Sequence, residues 1–227
     1  MDKLSLKTKF GKLICSENES KKTLNIILNA LKKAEKSNYS IFKIKPADYT
    51  VELVYSNKEY DTKTGLTKTK THRGGYVKKN KIIIISPNIK KLLFEPNSFF
   101  FHELNHIFYN TLIGSYNPVW FSEGMATYLM KTYKLPLKQW KQHFKKMKNP
   151  EQFLHYRYIK KKYYKNRQNF YALSYILYRY IHLNYGEKKV LLFLKKFANN
   201  PNQKNFNLHF EKIFKSPIKT ILKQAIN

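Results

Sequence analysis

The apolar positions of this chain are strand-like in the first hundred residues and helical after that. "FGKLI", Phe10 to Ile14, reads as a short strand. "SENESKKTLNIILNALKKAEKS" then places Leu24, Ile27, Leu28 and Leu31 at helical spacing, which predicts an amphipathic helix. Ser16 and Glu19 at its start have the spacing of a capping box. "YTVELVYS", Tyr49 to Ser56, alternates and is rich in β-branched and aromatic residues, so a second strand is predicted. Lys58 to Gly75 alternates Thr with Lys, holds three glycines and has almost no apolar content; it is expected to be a mobile loop. "YVKKNKIIIIS" predicts two strands around a Lys79-Asn80 turn, the second ended by Pro87. From Glu95 the spacing is helical to the end.

This order predicts an α+β protein. A small N-terminal α/β lobe with a mixed sheet, about residues 1–96, packs on a mostly helical lobe, about 97–227, in a single domain. The chain has 227 residues, 42% of them hydrophobic, enough for a sizeable core.

One helix breaks the ordinary pattern. Pro96 stands where helices start and Gly114 just past a plausible end. At about 100° per residue, Phe100, Phe101, Leu104, Ile107, Phe108 and Leu112 cover one side. His102, Glu103, Asn105, His106, Tyr109 and Asn110 fall on the other. That polar side holds no lysine or arginine in a chain with 44 of them. A solvated face would be expected to carry lysine, so this face is expected to line a pocket.

"HELNH" sets His102 and His106 about 40° apart around the helix and about 6 Å along it, so both imidazoles can reach one metal ion. Zinc favours imidazole nitrogen and carboxylate oxygen in tetrahedral array. Glu103, turned about 100° from His102, cannot easily join that coordination. It can stand beside the open position, as a general base for hydrolysis does. Two histidines leave such a site incomplete. "NPVWFSEGMATYLMKTY" supplies a carboxylate on the next helix: Glu123, with sixteen residues between it and His106. Pro118 suits that helix's first position, and Gly124 permits close helix approach.

"HELNH" followed by "WFSEGMATY" resembles the gluzincin metallopeptidases, specifically the peptidase MA-like domains, which combine HExxH with a downstream W-x-x-E-G-x-A helix. The resemblance extends over nearly the whole chain. The strands and long helix before the motif are similar to the family's N-terminal lobe. "FYALSYILYRYIHLNYGEKKVLLFLKK" looks like its Tyr-rich penultimate helix, ending at Tyr185-Gly186, and "NFNLHFEKIFKSPIKTILKQ" like its C-terminal pair of short helices. The resemblance implies a zincin-like fold and one Zn2+ ion held by His102, His106 and Glu123. It implies Glu103 as general base, a peptide or protein substrate, and a tyrosine that steadies the oxyanion: Tyr171, with Tyr175 the runner-up. Thr127 stands where thermolysin-type enzymes place an Asp that orients a zinc histidine. Asn105 is the local candidate for orienting a zinc histidine. No motif for gripping a free N-terminus is found, which leaves endopeptidase activity as the expectation.

Composition modifies this reading in two ways. The formal net charge is +30, with lysine spread along the chain. Codon bias would account for Lys, Ile, Asn, Tyr and Phe together; selected polyanion binding is the alternative. Either origin gives weak, salt-sensitive association with polyanions. This leaves two alternatives to a plain peptidase: a basic zincin-fold protein docking on nucleic acid or anionic surfaces, and a protease acting on nucleic-acid-bound proteins. Cys15 is the single cysteine, which excludes an internal disulfide and the cysteine zinc ribbon that many such proteases carry. No apolar segment is long enough to cross a bilayer, and "MDKLSLKTKF" has no signal-peptide h-region, so a cytoplasmic protein is expected.

Overall fold

The computed structural model describes residues 2–65, 75–78, 80–89, 95–114, 118–154 and 156–227, with side chains for all of these except 78 and 156–166. The protein is α+β, with a five-stranded mixed sheet and a largely helical remainder. Two compact units are present, Met1–Phe108 and Tyr109–Asn227.

In the first unit the elements run β1 (Lys3–Lys7), β2 (Gly11–Ser16), α1 (Lys21–Phe42), β3 (Tyr49–Val54), α2 (Asn57–Thr64), β4 (Gly75–Lys78), β5 (Lys81–Ile85) and α3 (Pro96–Ile113), whose last turn belongs to the second unit. The strand order is β1-β2-β3-β5-β4. β2, β3 and β5 are parallel, and the antiparallel strands β1 and β4 form the two edges. Side chains alternate across the sheet. Tyr49 lies on the face that meets α1, where its hydroxyl donates to Glu35 at 2.7 Å. Val54, Ile83 and Ile85 lie on the other face and form a cluster with Tyr60 of α2 and Tyr76 of β4.

That second face also buries Glu52, in the middle of the sheet and 4% exposed. Lys3 at 3.1 Å, Lys63 and Lys81 converge on its carboxylate. Burial alone would push this carboxyl up; the hydrogen bonds from Lys63, Lys81 and Lys3 outweigh it and hold the pKa at about 2.

Two local expectations are corrected, and one strand is added. The start of α1 is not capped by Ser16. Its N-cap is Ser20, whose hydroxyl accepts from Thr23 N at 3.1 Å. Glu19 instead accepts from Ser86 Oγ at 2.7 Å and from Asn88, tying the helix start to the end of β5. Residues 58–64 are not loop but most of α2, capped by Ser56 on Glu59 N at 3.0 Å and closed by Gly65 at φ +71. The rest of that expected loop up to residue 74 lies outside the described residues. β1 went unread, because "KLSLK" is short and offers only Leu4 and Leu6 as apolar positions, between exposed Lys3, Ser5 and Lys7. The β4–β5 hairpin forms as expected, with Lys78 opposite Lys81; Lys79 of its turn is outside the described residues.

The second unit continues from the end of α3 through α4 (Val119–Leu129), α5 (Leu137–Lys145), a short 3-10 turn (Pro150–Leu154), α6 (Tyr156–Ala198), α7 (Gln203–Phe214) and α8 (Ile218–Ile226). Phe121 is fully buried at its centre. The rings of Tyr178 and Phe193 both lie 5.4 Å from that of Phe121. In a straight helix those two residues would stand about 22 Å apart along the axis, more than side-chain reach can close. The run therefore folds back at Gly186, whose φ of +78° suits glycine. The expected end at Tyr185-Gly186 is thus a sharp bend inside one helical run. Among the described residues no helix is long and apolar enough to cross a membrane.

Candidate metal centre

The helix that carries the histidines is fixed at its start, along its apolar side and through one buried polar pair. At the start, Glu95 accepts from Asn97 N at 3.0 Å and Ser98 N at 2.6 Å, two donors that the first turn leaves open. Burial acts to raise the Glu95 carboxyl, but the hydrogen bonds from Ser98 and Asn97 outweigh it and hold it below the usual range. Along the apolar side Phe100, Leu104, Ile107 and Phe108 are fully buried. Each such side chain stabilises the fold by about 1.5–3 kcal/mol. Phe108 stacks on Phe42 of α1 with centroids 5.8 Å apart.

The polar pair corrects the expected role of Asn105. Its Nδ2 donates to Asn38 Oδ1 of α1 at 2.9 Å, and Asn38 Nδ2 donates to the Phe101 carbonyl at 3.1 Å. Both asparagines are fully buried. Asn105 thus locks α3 to α1. Sequence reasoning missed Asn38; its signal was a polar residue continuing the buried line Ile27, Leu31, Ala34 along α1.

The expected polar side of α3 therefore divides. Asn105 and Tyr109 are buried, and the Tyr109 ring packs 6.4 Å from that of Phe121. His102, Glu103 and His106 are half-buried.

His102 Nε2 and His106 Nε2 stand 3.1 Å apart, with their rings nearly perpendicular at 81°. Glu123 is half-buried on α4, and its Oε2 is shut off from water. One ligand atom from each of His102, His106 and Glu123 lies within 4.8 Å of the others. Two nitrogens bound to one zinc at 2.0–2.1 Å in tetrahedral array are about 3.3 Å apart, close to the spacing of this pair. The two imidazoles fit the metal in donor type and in spacing, and Glu123 offers a third donor of suitable type.

α4 is held close to α6 by the absence of a side chain at Gly124. A Cβ there would lie 2.3 Å from the Ser174 carbonyl oxygen and 2.9 Å from Tyr178 Cβ. The close approach at Gly124 is to α6, not to the histidine-bearing helix for which it was expected. Thr127, one turn on, is buried at 3% exposure.

Tyr171 is half-buried on α6, with the Arg167 guanidinium 5.5 Å from its ring and Phe170 beside it. Tyr175, one turn further, sits in a different environment, its ring 5.4 Å from Tyr133 and 5.8 Å from Tyr128. Burial raises the Tyr175 pKa; Arg179 acts against the rise and Tyr128 adds to it.

No family model matches the chain, and no curated protein matches it.

Proposed function

We propose that the protein is a zinc-dependent peptidase of the gluzincin kind, with a zincin-like fold. The single observation that carries this reading is the convergence of His102, His106 and Glu123 on one point. Two imidazoles 3.1 Å apart could also share one proton. The carboxylate beside them completes the two-imidazole, one-carboxylate donor set that zinc takes.

His102 and His106 would hold the ion by Nε2 and Glu123 by a carboxylate oxygen. Bound there, zinc would polarise the scissile carbonyl and acidify the attacking water. Glu103 accepts the proton of that water and delivers it to the leaving amine as the C–N bond breaks. Glu103 is half-buried beside His102 in the sequence of α3. Tyr171 is the candidate donor to the developing oxyanion.

The substrate would lie extended along β4, adding a strand to that edge. Among the described residues β4 pairs with β5 on one side only, and the proposed ligand strand would take the other row of backbone groups. It also runs beside the first turn of α3, since a Cβ at Gly75 would lie 2.3 Å from Phe99 Cζ.

The test is a peptide-library digest with wild type and Glu103→Gln. The variant is expected to keep its zinc and lose at least 100-fold in cleavage rate, the lower range for a general base. Full cleavage by a zinc-loaded Glu103→Gln protein would overturn the mechanism.

A further inference from the structure

The lysines of the two units are placed differently. Among the described residues the lysines in ion pairs are Lys3, Lys45, Lys63 and Lys81, all in the first unit. After residue 108 the sequence contains Glu123, Glu151, Glu187 and Glu211 and no aspartate. None of these lies on α5 or α8. From Lys131 to Lys148 the chain carries seven lysines and no carboxylate.

On α5 those lysines form a surface. Lys138, Lys141 and Lys145 fall within an arc of about 60°, and the first and last stand about 10.5 Å apart along the axis. Lys138 and Lys145 are exposed and Lys141 is half-buried. The apolar residues occupy a separate arc that faces into the unit. Phe144 is fully buried, and Trp140 stacks on it with centroids 5.7 Å apart. His143 Nε2 contacts Asn169 Oδ1 of α6 at 2.9 Å. α8 packs beside α5 and exposes Lys219 and Lys223, one turn apart. Neighbouring helices thus hold cations on rigid backbone without local neutralisation.

We propose that α5 and α8 form a docking surface for the phosphate backbone of nucleic acid, read without regard to base sequence. This goes beyond the peptidase reading and does not depend on a metal. An anionic membrane is the competing partner for a basic amphipathic helix, but that mode inserts the apolar face. Here Phe144 is committed to the core. The exposed large hydrophobics among the described residues are Ile26, Tyr39, Ile89, Leu183, Leu192 and Leu208, none of them on α5 or α8. A nucleic-acid backbone needs no insertion. Fixed cations displace its condensed counterions, and that release drives binding.

The experiment separates a located surface from bulk charge. Binding of a labelled 20-base-pair duplex is followed by fluorescence anisotropy over a series of salt concentrations. The proteins are wild type, Lys138→Gln/Lys141→Gln/Lys145→Gln, Lys219→Gln/Lys223→Gln, and the control Lys188→Gln/Lys195→Gln/Lys196→Gln, which removes as much charge from exposed positions on α6. Each lysine that contacts a phosphate contributes about 0.9 to the slope of log K against log salt. The α5 variant is expected to lose about 2–3 in slope and at least 10-fold in affinity near 0.1 M salt. The α8 variant is expected to lose about 1–2 in slope, and the control less than about 2-fold in affinity. Phosphatidylserine vesicles form a second arm, in which the α5 variant and the control should behave alike. Equal loss in variant and control, no duplex binding by wild type, or an α5-specific loss confined to vesicles would each overturn the proposal.

Discussion

Single residues in this protein carry work that their neighbours in sequence do not announce. Asn105 lies between two histidines' turns yet faces away from them, into a buried pair with Asn38. Asn105→Leu is expected to lower stability by about 1–3 kcal/mol in a urea melt, because it strips a buried hydrogen bond from Asn38. An unchanged midpoint would remove Asn105 from the packing of α3. Glu52 gives a pH signature. Its folded pKa of about 2 lies below the ordinary carboxylate value of 4.5, so its contribution is full above pH 4.5 and is lost as pH falls towards 2. Glu52→Gln should lower stability at neutral pH and flatten that acid limb. Melts at pH 7, 4 and 3 that superpose for both proteins would contradict it. At this scale the sequence was most readable where chemistry is rare. His102, Glu103, His106 and Glu123 stood out by type and spacing, and three of them converge in space. Asn38 and Asn105 were not readable as a pair, because 67 residues separate them.

Among the elements, α4, which carries Glu123, depends on Gly124 to lie close against α6. Gly124→Ala would set a methyl group against the Ser174 carbonyl. Overpacking of this kind costs about 1–3 kcal/mol. The expected result is a lower melting temperature together with weaker zinc retention, since α4 carries Glu123. A variant as stable as wild type would show that α4 and α6 tolerate a wider spacing. Element type was legible wherever an apolar period was long, as in α1, α3 and the isoleucine strand β5. It failed at α2, where one buried tyrosine and a Ser56–Glu59 cap suffice to make a helix from "NKEYDTKT". It failed again at β1, whose pairing to β2 is a property of the partner strand. Gly186 was legible as a terminus and is a fold-back, since φ is not written in residue type.

For the molecule as a whole, the α+β class and the mixed sheet follow from the order of strands and helices, and both are present. The formal charge of +30 could not be interpreted from composition. Its placement is more informative: in the first unit lysines neutralise buried Glu52, whereas on α5 and α8 they stand without carboxylates. Substrate identity was not legible, because it depends on side chains brought together from distant parts of the chain. The central claim is that His102, His106 and Glu123 bind one metal ion, and metal content measured on purified protein tests it most directly. Wild type is expected to hold about one zinc per chain. His106→Ala is expected to lose most of that zinc and to melt lower, because metal binding is linked to folding. A zinc-to-protein ratio unchanged in His106→Ala, or a wild-type protein that takes up no metal when zinc is supplied, would contradict the account.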